Sequence, residues 1–199
     1  MLLEGYTVIY GGSFNPPHMG HYLVCSWLLE ALKASTVCLV PVYEHNFGKK
    51  LESFEHRMKM CNIMISPFGN KVLLDDIEKD LPKPNTTYDL LQAYRKAYEI
   101  RKKKSNDVFA IVIGSEILEE LDKWHRWQEL PDLARIVVVE RSGFSKGIPP
   151  VPVVEYPMLL PSTSSSEVRH RLAEGKSIDG LVPYKVAEYI EKHRLYRGK

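Results

Sequence analysis

Short, apolar, β-branched runs alternate along this chain with segments of helical periodicity, and that alternation constrains the fold more than any other feature. Tyr6 to Tyr10 reads as a strand, ended by Gly11 and Gly12. Leu23, Val24, Trp27, Leu28, Ala31 and Leu32 then recur at the three- and four-residue spacing of a helix face. Thr36 to Val42 is a second strand run, with Pro41 marking its exit, and Ser53 to Ile65 is helical up to Pro67 and Gly69. Lys71 to Leu74 predicts a short strand, and Thr87 to Lys103 a helix whose basic last turn suits its dipole. Val108 to Ile113, ended by Gly114, and Arg135 to Val139 predict two more strands. Helices are expected over Ser165 to Ala173 and Pro183 to His193. The strand runs are apolar throughout, which suits strands buried on both faces of a parallel sheet joined by right-handed crossovers. The expected class is α/β, with an open parallel sheet and helices on both faces. Ser142 to Pro157, with its prolines, reads as a long connection or an edge strand.

The 199 residues suit one domain spanning 1–199, with no internal repeat or low-complexity segment. The near balance of 27 Lys and Arg against 25 Asp and Glu argues against a nucleic-acid partner while leaving room for a local basic pocket. No apolar run reaches the length of a membrane span, so no membrane partner is expected. The first ten residues carry Glu4 and no basic stretch, and read as the approach to a strand instead of a signal peptide. Cys25, Cys38 and Cys61 form no C-x-x-C pair, each sits in an apolar stretch, and reduced thiols of a cytoplasmic protein are expected.

In an open α/β sheet, ligands bind beyond the carboxyl ends of the strands. There the chain places Gly11-Gly12-Ser13-Phe14-Asn15-Pro16-Pro17-His18-Met19-Gly20-His21. Glycines after a strand let the backbone approach a ligand, and a helix start with open amides and two imidazoles suits a polyphosphate. The plainer reading, a tight turn with two surface histidines, leaves the Pro-Pro-His-x-Gly-His pattern unexplained. The loop contains neither a Walker sequence nor G-x-G-x-x-G. A second constellation is Ser164-Ser165-Ser166-Glu167-Val168-Arg169. Ser164 and Glu167 make a capping box that starts a helix, but this does not account for Arg169 one turn inside.

Together the two segments resemble the G-G-(T/S)-F-(D/N)-P-x-H-x-G-H and S-S-T-x-(I/V)-R signatures of the nucleotidyltransferase superfamily. The branch is suggested by Gly114-Ser115-Glu116 with Trp124-His125-Arg126-Trp127, and by Asn85-Thr86-Thr87-Tyr88-Asp89. These are similar to stretches of the nicotinate/nicotinamide mononucleotide adenylyltransferases. Further likenesses are Lys49-Lys50 ahead of the helix with Arg57, Val137 to Gly143 with Arg141, and Val182 to Tyr196. Glu116, Thr86 and Ser166 stand where that family usually has Asp, Tyr and Thr.

The resemblance implies a Rossmann-like sheet and a reaction in which a pyridine mononucleotide attacks the α-phosphorus of ATP and releases pyrophosphate. It implies ATP binding by Gly12, Ser13, Phe14, His18, His21, Gly114, Glu116, Ser165, Ser166 and Arg169, with His18, His21 and Arg169 at the reacting phosphates. It implies substrate binding by Lys49, Thr87, Trp124 and Arg141, with Lys49 offsetting phosphate charge. Trp124 is the favoured stacking ring; the alternative for Trp124 and Trp127 is one core and one surface indole. Mg²⁺ would ride on the ATP phosphates, with no dedicated protein ligands. Two competing readings are a phosphopantetheine-type adenylyltransferase and a nucleotide-binding regulatory module without turnover.

Overall fold

A computed structural model describes residues 2–44, 50–100, 108–141, 153–160 and 163–197; the side chains of 98–100, 141 and 153–160 lie outside the description. The described strands are β1 (Tyr6–Gly12), β2 (Thr36–Pro41), β3 (Val72–Leu74), β4 (Val108–Gly114), β5 (Arg135–Arg141) and β6 (Val153–Leu160). The described helices are α1 (Met19–Glu30), α2 (Phe54–Ile65), α3 (Thr87–Ile100), α4 (Leu130–Leu133), α5 (Ser165–Ala173) and α6 (Tyr184–Lys192). The strands form one sheet in the order β3-β2-β1-β4-β5-β6, with every pairing parallel.

Side chains alternate across the sheet and give it two cores. Val8, Ala110, Val112, Val137 and Val139 face a core filled from α1, α2, α5 and α6, with Trp27 packed against it as its helical spacing predicts. Ile9, Ile111, Ile113, Ile136 and Val138 face a second core with Tyr88, Leu90 and Leu91 of α3 and Leu130 of α4. Shaving one such buried aliphatic side chain to Ala costs about 2–5 kcal/mol, so each core resists large-to-small change. Helices cover both faces, as the uninterrupted apolar strands require.

The chain winds outward from β1 through β2 to β3, then returns to β4 and winds the other way through β5 to β6. At this reversal the carboxyl ends of the neighbouring strands β1 and β4 lie side by side, with Gly12 and Gly114 as their last residues. The proline-rich stretch after β5 leads into an edge strand, β6, that pairs with β5 through an irregular register near Arg141. Helix α3 matches the expected helix as far as Ile100, and the expected continuation, 101–103, lies outside the described residues. Ser115–Lys123 forms 3₁₀ turns, an element the sequence reading did not assign.

Candidate active site

The loop between β1 and α1 is held from inside. Phe14 is buried with a left-handed backbone, φ 44°. Its ring meets His21 edge-on at 4.8 Å and Tyr10 at 5.6 Å. His18, 2% exposed, is the N-cap of α1, its Nδ1 accepting from the Gly20 N–H at 3.1 Å. His21 returns the bond, its Nδ1 accepting from the His18 N–H at 3.0 Å, and the two rings stack 3.7 Å apart. This is a capping box built from two imidazoles. Because each Nδ1 accepts, the proton of each neutral ring sits on Nε2. A Cβ at Gly20 would lie 2.9 Å from the His18 ring, so only glycine admits this packing. The first turn of α1 carries no acidic residue to offset the positive end of the helix.

The second constellation docks onto that loop. The Ser165 hydroxyl donates to the Pro16 carbonyl at 2.9 Å, and Arg169 Nη1 donates to the Asn15 carbonyl at 2.7 Å. These partners are 149 and 154 residues apart in the chain. Arg169 Nη2 also donates to the Ser166 hydroxyl at 3.1 Å. Ser164 caps α5 by accepting from the Glu167 N–H, but the box is not closed as expected: the Glu167 carboxylate lies 3.7 Å from Arg171 one turn on. His18, His21, Ser165, Ser166 and Arg169 are thus gathered where two helix N-termini meet.

Behind the loop lies a buried polar framework. Arg57 is 1% exposed and donates from Nε to the Glu52 carbonyl, from Nη1 to Ser13 and from Nη2 to Tyr43, at 2.9–3.1 Å. One guanidinium therefore joins the loop after β1, the exit of β2 and the lead into α2. Burial holds its pKa below the usual range, with Glu78 and Glu52 pulling the other way. Glu78 in turn accepts from the Tyr43 N–H and from Asn85, and burial pushes its carboxyl up. The Asn15 side-chain oxygen accepts from the Glu52 N–H and the Tyr196 hydroxyl, both at 3.0 Å. Apart from the loop resemblance, the sequence offers one signal for this framework: Arg57 falls on the same helical stripe as Met60, Cys61 and Met64, where a charge is out of place.

At the end of β4, the Glu116 carboxylate folds back over Gly114, where a Cβ would meet its Oε2 at 2.0 Å. Trp124 and Trp127 are both half-buried against the second core, so the division into one core and one surface indole does not hold. Between them Arg126 adopts φ 53°, pairs with Glu129 and lies 4.1 Å over the Tyr88 ring. Thr86 caps α3 through a reciprocal pair with Asp89, its N–H donating to that carboxylate at 3.0 Å and its hydroxyl accepting from the Asp89 N–H at 3.2 Å. Thr87 is the first residue of the helix. Lys49 lies outside the described residues. Arg141 ends β5 with its side chain outside the description.

Among the described residues, no group of three or more His, Cys, Asp and Glu side chains could hold a metal ion. No described helix is long and apolar enough to cross a membrane.

Comparison with known proteins places this geometry. A model of the cytidylyltransferase-like family matches residues 9–171. The chain is 40% identical over 194 residues to a probable nicotinate-nucleotide adenylyltransferase of Anaeromyxobacter dehalogenans, covering 94% of this chain and 95% of the relative. It is 34% identical to a protein of the same description from Geobacillus thermodenitrificans, covering 96% and 86%. The fold is similar to that of a Plasmodium falciparum nicotinic acid mononucleotide adenylyltransferase solved with NaAD. That match has a TM-score of 0.77 and 25% identity, and covers 96% of this chain and 97% of the other.

Proposed function

The chain belongs to the cytidylyltransferase-like family and, within it, to the nicotinate-nucleotide adenylyltransferases, and from that membership we propose that it joins nicotinate mononucleotide to the AMP part of ATP, forming deamido-NAD and pyrophosphate in NAD biosynthesis. The carrying observation is the meeting of the His18–His21 box with Ser165, Ser166 and Arg169 at two helix N-termini.

A mononucleotide's 5′-phosphate has a second pKa near ~6 and reaches neutral pH already ionised, so no protein base is needed. A phosphate oxygen attacks the α-phosphorus, a new P–O bond forms, and the bond to the bridging oxygen of pyrophosphate breaks. Catalysis then rests on positioning and on offsetting charge. In our reading His18 and His21 donate from Nε2 to phosphate oxygens, helped by main-chain groups of Gly12, Ser13 and Phe14. Ser165, Ser166 and Arg169 hold the departing phosphates, Arg169 with a forked contact that Lys cannot make. Gly114 and Glu116 hold a ribose. Thr87, Trp124 and Arg141 receive the mononucleotide, with the Trp124 indole against the pyridine ring, and Lys49 helps offset the triphosphate charge. The nucleotide enters as its Mg²⁺ complex, the metal keeping much of its water. Three buried free thiols support a cytoplasmic setting.

The test is pyrophosphate release from MgATP with nicotinate mononucleotide, nicotinamide mononucleotide and phosphopantetheine in parallel. The proposal expects the highest kcat/KM with the nicotinate form. Turnover with phosphopantetheine alone, or with none of the three, overturns it.

A further inference from the structure

The last turns of the described chain reach the site in a way that termination of α6 does not explain. Helix α6 ends in a Schellman motif: the Leu195 N–H bonds the Ile190 carbonyl at 3.0 Å and the Arg194 N–H bonds that of Glu191 at 3.1 Å. Arg194 takes the left-handed conformation that the motif requires, φ 52°, and Leu195 drops into the first core. Tyr196 then adopts a second left-handed conformation, φ 61°, disfavoured for any residue with a Cβ and not needed to end the helix. Tyr196 packs against the first core, and its hydroxyl donates to the Asn15 side-chain oxygen at 3.0 Å. Asn15 is 2% exposed, and its main-chain carbonyl is the acceptor of Arg169.

We propose that Tyr196 is a positioning residue that acts through Asn15 to set where Arg169 presents its guanidinium to the ATP phosphates. The inference rests on the reading of Arg169 as a phosphate-binding group. Burial pushes the Tyr196 phenol well above its ordinary range, so the hydroxyl keeps the proton it donates. The Asn15 oxygen has two donors, and the Glu52 N–H remains when the phenol is removed. The effect should therefore be a displacement of the carbonyl and not collapse of the loop.

Tyr196→Phe removes the hydroxyl and keeps the ring. Steady-state kinetics on the full chain should show kcat/KM for ATP lowered about 5- to 10-fold, the worth of one neutral hydrogen bond. KM for nicotinate mononucleotide should stay within about twofold, well short of one hydrogen bond's worth. Tyr196→Phe combined with Arg169→Ala should be no worse than Arg169→Ala alone, because the first residue acts through the second. Wild-type ATP kinetics, equal losses on both substrates, or additive losses in the double variant would each overturn the proposal. Arg169→Ala on its own separates the two readings. If it leaves ATP kinetics unchanged, the assignment of Arg169 fails, and the proposal with it; if it impairs ATP use while Tyr196→Phe is silent, only the proposal for Tyr196 fails.

Discussion

His18 and His21 stack at 3.7 Å while each Nδ1 accepts a main-chain N–H at the start of α1, so one pair of rings both caps the helix and fixes its own tautomers. Capping uses Nδ1, so the phosphate contact proposed above would fall to Nε2, the other nitrogen of the same ring. Substitution can separate them. Asn is a good N-cap and lacks the imidazole donor. His18→Asn should melt within about 2 °C of the wild type, since the cap is kept, yet lose about 100-fold or more in kcat/KM. His21→Ala gives up the reciprocal bond as well, at about 1 kcal/mol, and should lose turnover by a similar factor. Thermal melts beside kinetics check both; activity that merely follows the melting temperature would reduce the histidines to helix caps.

Arg169→Ala should raise the KM for ATP by about 10- to 150-fold, the range for charge-assisted hydrogen bonds of about 1.5–3 kcal/mol. Arg169→Lys should recover only part, because one ammonium cannot reproduce the geometry that spans the Asn15 carbonyl and the Ser166 hydroxyl. Full recovery with Lys would show that charge alone mattered.

Trp124→Ala should raise the KM for the mononucleotide roughly 5- to 150-fold, from about 1–3 kcal/mol of lost stacking, and leave that for ATP little changed. Both indoles also pack on the second core, so each alanine variant should melt lower. The difference between them lies in KM, with Trp127→Ala expected to be the milder. A rise confined to the ATP KM would put the ring on the adenine side.

Arg57→Met tests the framework behind the loop. It leaves the carbonyls of Ser13, Tyr43 and Glu52 without their buried donor. A penalty of about 3 kcal/mol is expected, or roughly 6–12 °C in Tm for a chain of this size. An unchanged melt by circular dichroism would show that the three bonds contribute nothing net.

Burial pushes the Cys25 thiol up to about 12 and that of Cys38 up to about 11, and raises Cys61 further still. The thiolate is the reactive form. Native protein at pH 8 should therefore leave all three cysteines unmodified by a disulfide reagent, and unfolding in denaturant should expose all three. Rapid labelling of the folded chain would mean that one of these thiols is reached by local opening.

Much of the fold is legible in the sequence. Uninterrupted apolar strands announce a sheet buried on both faces, and the segment from Gly11 to His21 announces a strand end, a turn and a helix start, because local composition dictates both. What the sequence hid depends on tertiary packing. Histidine is not an expected capping residue, and the reciprocal bonds of His18 and His21 need the rings stacked in one orientation. The reach of Tyr196 depends on positive φ at residues that are not glycine, which only the surrounding contacts impose. The Thr86–Asp89 cap was accessible from spacing, and it gives Thr86 a structural task of its own. The prolines between Ser142 and Pro157 left a long connection and an edge strand both open, and the structure shows the edge strand β6, with Pro157 inside it.

The crowding of Gly114 by the Glu116 carboxylate makes the two positions one heritable choice. A methyl group at 114 would push the flexible carboxylate aside and leave the backbone in place, so Gly114→Ala moves the acid without altering its chemistry. A long acid can lie against this turn only while its neighbour lacks a side chain. Drift at 116 is then conditional on 114, and a mutational scan that varies either position alone would misread the fitness of both.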